Sequence, residues 1–168
     1  MSLPNTFTDI NETGCCAVPN IADWDKKEIT FDNQKFIRMY TKSFLYVPLN
    51  MSKVMTALQK TADDAGATMA PTEAVILSRD ISPWKAEQLY GVSKSVDGAE
   101  NITLDGVFIT KVYVGPYKNV SKWLKDLRAY ATDVQKKIDR TYFFYTTCPK
   151  CAKQYGKNYV IALGHCTN

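Results

Sequence analysis

A chain of 168 residues with 45% hydrophobic and 23% charged positions has enough apolar material to bury a core without staples. No apolar run approaches the roughly 18 residues of a membrane span, and Met1 to Glu12 lacks the charged-then-apolar build of a signal peptide. The net charge of +4 is mild and the lysines are scattered, so direct nucleic-acid binding is unsupported. Five cysteines, an odd number without an export signal, favour reduced thiols or a metal over a disulfide framework. Cytoplasm is the default compartment.

Residues 1–34 are polar and irregular, with Gly14-Cys15-Cys16 and Trp24 as their bulky or reactive features. They are expected to form an arm packing on the main body, with Trp24 as anchor and Trp24 to Phe31 as an added edge strand. Residues 35–168 are read as one domain of two repeats, about 35–96 and 106–166. In the first, Lys35 to Lys42 is a strand that Phe44 to Val47 continues to Pro48. A helix follows with Met51, Val54, Met55, Leu58, Ala62 and Ala65 on one stripe, closed by Gly66. Ala74 to Leu77 is a strand, Arg79 to Trp84 a turn-forming link, and Lys85 to Val92 another strand. Alternation puts Lys85, Glu87 and Leu89 on one face and Ala86, Gln88 and Tyr90 on the other.

Ser93 to Leu104 reads as a polar connection. The second repeat opens with a strand, Val107 to Val114, broken at Gly115-Pro116 because proline cannot donate to a ladder. Asn119 or Ser121 caps a helix whose stripe is Val120, Trp123, Leu124, Leu127, Tyr130, Ala131, Val134 and Ile138. Tyr142 to Tyr145 and Asn158 to Gly164 are the closing strands. Pro48 and Pro116, Ser52-Lys53 and Ser121-Lys122, and Leu58 and Leu127 stand at matching places, with a one-residue slip after the proline. The expected fold is therefore α+β, a duplicated strand–helix–strand–strand module with an antiparallel sheet and two long helices.

The doubled order, together with Val112-Tyr113-Val114-Gly115-Pro116-Tyr117 leading into the second helix, resembles the GyrI-like small-molecule-binding family, which includes multidrug effector-binding domains. The closer resemblance is to a bacterial branch labelled hydrolase, through Cys15-Cys16, Trp24-Asp25, Gly115-Pro116-Tyr117 and Cys148-Pro149-Lys150-Cys151. It implies a mostly apolar, aromatic pocket between the halves and a buried glutamate that pairs with cationic aromatic ligands or assists hydrolysis. The last strand has no glutamate, which leaves Glu87 as the strand-borne candidate.

The residues themselves support a pocket. Trp84, Tyr90, Tyr113, Tyr117 and Tyr142 crowd the segments where the halves should meet, and apolar walls with few polar groups suit small molecules. Ring faces attract cations, and core packing is the competing reading of the same rings. Glu87 in such a place would serve as general base, with Tyr145 or Tyr117 donating to a developing anion. Cys148 and Cys151 form a C-x-x-C knuckle, for which structural zinc is the fitting cofactor and Cys15 with Cys16 the completing pair. His165 and Cys166 are poorer candidates, and no helix follows the knuckle as thioredoxin chemistry requires. His165, the lone histidine, reads as a surface residue.

Three functions follow: a module binding an apolar or cationic aromatic small molecule, a hydrolase of small electrophilic compounds using Glu87, or a zinc-stapled interaction domain. The expected partner is a small molecule, with no nucleic acid bound directly, no membrane, and homodimerisation left open.

Overall fold

Alternation of buried Ile29 and Phe31 with exposed Glu28, Thr30 and Asp32 draws the first long element, strand β1 (Lys27–Phe44). The computed structural model describes residues 4–8, 19–146 and 158–167. The chain divides into two units, 33–105 and 1–32 with 106–168, and β1 contributes residues to each.

In the 33–105 unit, β1 pairs antiparallel with β2 (Val47–Pro48) and β4 (Lys85–Val92), and β4 pairs with β3 (Ile76–Ser82). Helix α2 (Met51–Asp64) lays Val54, Leu58 and Ala62 against Ile37, Val92 and Val96, the three- and four-residue spacing giving one buried stripe. The expected run of β1 through Phe44 to Pro48 is corrected here. Leu45 and Tyr46 have φ of 47° and 70°, and Phe44 faces Val47, so the chain reverses in a two-residue hairpin. Bulky residues seldom enter the left-handed region, which is why their composition reads as strand.

In the other unit, one-turn helix α1 (Ile21–Trp24) ends at a fully buried tryptophan whose Nε1 donates to the Asn5 carbonyl at 2.9 Å. The Thr110 hydroxyl donates to the Trp24 carbonyl, and the Val112 amide to Asp25 Oδ1 at 3.0 Å. Strand β5 (Asn101–Val114) pairs antiparallel with β7 (Tyr159–Thr167), and β7 with β6 (Lys137–Tyr145). Its first residues, up to Asp105, belong to the 33–105 unit and occupy what reads as a polar link. Asn101 fixes that link by exchanging side-chain hydrogen bonds with the Val96 backbone, both at 2.9 Å.

Gly115 has a φ of +141°, which suits glycine, and its carbonyl accepts from the Asn158 side chain. A 3-10 turn (Tyr117–Asn119) leads into helix α3 (Val120–Asp133), where Trp123, Leu127 and Ala131 pack on Ile109, Phe143 and Val160. Asn119 takes the N-cap position without a side-chain capping bond. The helical stripe expected to reach Ile138 stops early: Gln135 is left-handed at φ 58°, and Ile138 instead pairs with Cys166 across β6 and β7. Backbone pairing overrides the apparent periodicity there. The architecture is antiparallel α+β, as expected. No helix among the described residues is long and apolar enough to cross a membrane.

Candidate functional site

The register of three strands assembles one charged row in the 33–105 unit. Tyr40 on β1 and Arg79 on β3 both lie opposite Glu87 on β4, and directly opposed residues share a face. Arg38, two positions before Tyr40, joins them by alternation. Helix α2 covers the other face, where Ile37, Met39 and Tyr90 meet its stripe.

Glu87 is 3% exposed, so its charge needs partners. Arg79 Nε donates to its Oε1 at 2.7 Å, and Arg38 Nη1 lies 3.4 Å from its Oε2. Arg38 also donates through Nη2 to Glu100. That bond, followed by the burial that opposes it, leaves the Arg38 guanidinium above its ordinary pKa. The same bond leads in holding the Glu100 carboxyl below the usual carboxylate value. The Tyr40 ring carries Lys85 Nζ at 4.0 Å and the Arg38 guanidinium carbon at 5.2 Å from its centroid. Arg38 Nε is buried with no hydrogen-bond partner among the described residues. The row thus combines a buried carboxylate, three cations, an aromatic face and one unused donor.

On the opposite face of β4, Gln88 is fully buried and satisfied, accepting from Ser78 and donating to Thr41 Oγ1 at 3.2 Å. Tyr90 packs beside α2, and burial followed by the Asp63 charge raises its phenol pKa. Trp84 stands exposed at the β3–β4 turn against Phe44, ring centroids 5.7 Å apart.

The remaining predicted rings belong to the other unit. Tyr113 stacks on Trp123 at 5.5 Å, and its hydroxyl donates to Asp126 Oδ2 at 2.6 Å. Tyr117 meets Tyr145 edge-on at 5.1 Å, and Tyr145 stacks near Phe143 at 6.2 Å. Tyr142 is buried beside Phe108. The structure therefore gathers Tyr117 with Tyr145, sets Tyr113 on the α3 core, and sinks Tyr142 into packing.

His165 is mostly covered rather than at the surface. Its Nδ1 lies 2.6 Å from Asp139 Oδ1, and its ring packs on Phe108 at 5.0 Å. It borders a cavity of about 490 Å³ with Gly106, Val107, Lys136, Cys166 and Thr167. Cys15, Cys16, Cys148 and Cys151 lie outside the described residues. Among the described residues, no group of three or more His, Cys, Asp or Glu side chains gathers as a metal site.

Of this row, sequence reasoning singled out Glu87 and passed over Arg38, Tyr40, Arg79 and Glu100. A signal existed for two of them, since Arg38 and Tyr40 alternate on the predicted strand. Arg79 was hidden because its stretch reads as a turn.

Residues 6–166 match the model of a family described as bacterial hydrolase. No curated protein matches the sequence. Among solved structures, the fold is similar to a hydrolase from Listeria innocua, with TM-score 0.60 and 12% identity over 85% of this chain and 93% of that one. It is similar to the EcmrR C-terminal domain, with TM-score 0.62 and 14% identity over 84% and 95%. It is also similar to SAV2435 bound to tetraphenylphosphonium, with TM-score 0.53 and 10% identity over 84% and 93%. Identities this low carry fold alone.

Proposed function

This chain belongs to the bacterial hydrolase family, and from that premise we propose that it binds a small organic molecule through the Arg38–Glu87–Arg79 row of its 33–105 unit. The family and the fold likenesses fit a GyrI-like domain. The observation that carries the reading is Arg38 Nε, a buried donor with no partner among the described residues, beside the Tyr40 ring. Leaving such a donor unmet costs about 1–3 kcal/mol, and a turn of the Arg38 side chain, 24% exposed, would present it to an acceptor on a ligand.

The ligand class follows from the charges. Lys85 and Arg38 already lie over the Tyr40 ring, and both oxygens of Glu87 already face guanidinium groups. A cation arriving here meets three cations. A planar molecule with a carbonyl or carboxylate oxygen meets donors and a ring. This shifts the expected cationic aromatic ligand toward an acceptor-bearing aromatic one, although SAV2435 is seen with tetraphenylphosphonium.

Hydrolysis is the second reading, favoured by the family and by a guanidinium beside a carboxylate. Arg38 would polarise an ester carbonyl while Glu87 takes a proton from the attacking water. The water oxygen bonds to the acyl carbon, the acyl C–O bond to the leaving oxygen breaks, and Glu87 returns the proton to that oxygen, a phenoxide where the substrate is phenyl acetate. Calorimetry with benzoate and tetraphenylphosphonium, plus a turnover assay on phenyl acetate, separates the readings. Benzoate binding that disappears in Arg38→Met is expected. Preference for tetraphenylphosphonium, unaffected by Arg38→Met, sinks the acceptor-ligand reading.

A further inference from the structure

Among the described residues, exposed large apolar side chains concentrate at one end of the 33–105 sheet. Phe44, Leu45, Tyr46, Val47, Leu49, Ile81 and Trp84 are each between 46% and 68% exposed there. Isolated exposed apolar residues are normal, whereas a contiguous set marks an interaction surface. Two turns are locked into this single tip. The Tyr46 amide donates to the Pro83 carbonyl at 2.9 Å, and the Ser43 amide to the Trp84 carbonyl at 2.8 Å.

The hairpin sequence runs against its own backbone. Two consecutive left-handed residues in a two-residue loop call for Asn-Gly. This chain places Leu45 and Tyr46 there and turns both side chains outward. Local preference is given up for apolar display, and such conflicts point to function.

The surrounding charges choose the occupant. Lys42 and Lys85 are paired across β1 and β4 just behind the tip, Lys85 with its Nζ over the Tyr40 ring, and exposed Lys53 lies on α2, whose first turn holds no acidic residue. Asp80 on β3, Glu87 two residues along β4 and Glu100, whose carboxyl feels Lys85, are opposing charges nearby, so Lys42 and Lys53 are the lysines left to a surface. A second copy would bring two lysine collars together. An anionic lipid surface instead attracts lysines and accepts leucine and phenylalanine below, with tryptophan and tyrosine at headgroup level. We infer that this tip docks the protein on anionic bilayers as a peripheral contact. The sequence-based expectation of no membrane rested on span length, which a shallow tip does not need.

The test is co-sedimentation of the full chain with phosphatidylglycerol–phosphatidylcholine vesicles against phosphatidylcholine alone. Trp24 and Trp123 are buried while Trp84 is exposed, so a blue shift of tryptophan emission reports the tip. The expected result is binding to anionic vesicles only, weakened by salt, with a blue shift. Lys42→Gln and Lys53→Gln should each weaken binding about fivefold. The decisive variant is Leu45→Asn with Tyr46→Gly, which supplies the residues the turn prefers. It should lose at least about tenfold in vesicle binding while its Tm holds or rises. Unchanged binding in that variant, equal binding to neutral vesicles, or no binding to either overturns the inference. So does a dimer that the same variant converts to monomer, which would assign the tip to a second copy.

Discussion

Arg79 Nε donates to Glu87 Oε1 at 2.7 Å because the two residues face each other across β3 and β4. A one-residue slip of either strand would send one of them to the α2 face and leave a buried charge without its partner. The ion pair and the register therefore specify each other.

Glu87→Gln tests the energetics of this row. Removing one partner of a fully buried pair costs about 3–5 kcal/mol. Arg38 and Arg79 keep 24% and 33% of their side-chain surface exposed and can partly resolvate. The expected loss is therefore smaller, about 1–2 kcal/mol, read from urea unfolding. Benzoate affinity should hold or rise, because the Glu87 carboxylate no longer competes for Arg38 Nη1 and Arg79 Nε. Undiminished stability would mean that the row is not held in solution, and the proposed anchor would go with it.

Gly115→Ala tests the corner before α3. A Cβ there would sit 3.5 Å from Asn119 Nδ2 and 3.7 Å from Trp123 Cζ2, ordinary contacts. The cost comes instead from φ at +141°, where side chains are strained by about 1–3 kcal/mol. A fall in Tm of about 3–10 °C by calorimetry is expected. A neutral result would show that the corner relaxes to another turn.

Leu127→Ala and Leu58→Ala probe the two helix-on-sheet cores. Both leucines are fully buried, one on α3 among Ile109, Trp123 and Phe143, the other on α2 among Ile37, Val54 and Val92. Each truncation leaves a cavity and should cost about 2–5 kcal/mol in urea unfolding. A loss under about 1 kcal/mol at either would mean that its helix is not docked as described.

Both helices were legible because an amphipathic stripe depends on local spacing alone. Leu58 and Leu127 could be placed inside from sequence, and Glu87 could be picked out as a strand carboxylate. Its pairing could not, since Arg38 and Arg79 reach it only through strand register and the β1–β4–β3 order, and Glu100 joins the row through Arg38. The Leu45–Tyr46 turn was hidden for the opposite reason: its residues favour strand, and the fold holds them against that preference. Ile138 shows the same conflict, keeping helical spacing while a β6–β7 pair claims it.

Tyr113 gives the fold an alkaline limit. Burial first, then its bond to Asp126 and the charges of Asp126 and Asp25, push its phenol pKa well above the ordinary value. A group whose folded pKa is raised contributes stability that is whole below the unfolded pKa, about 10, and is lost as pH rises toward the folded value. Above about pH 10 the unfolded chain ionises this phenol while the folded chain holds it neutral, so unfolding is increasingly favoured. Tyr113→Phe removes the titration together with one hydrogen bond. At neutral pH the variant should be less stable by about 1 kcal/mol. Between about pH 9 and 11 its stability should fall less steeply than that of the parent, narrowing the gap. Urea unfolding of both proteins across that range measures the two slopes. Parallel slopes would mean that Tyr113 ionises as freely folded as unfolded, and that its ring is not held between Trp123 and Asp126 in solution.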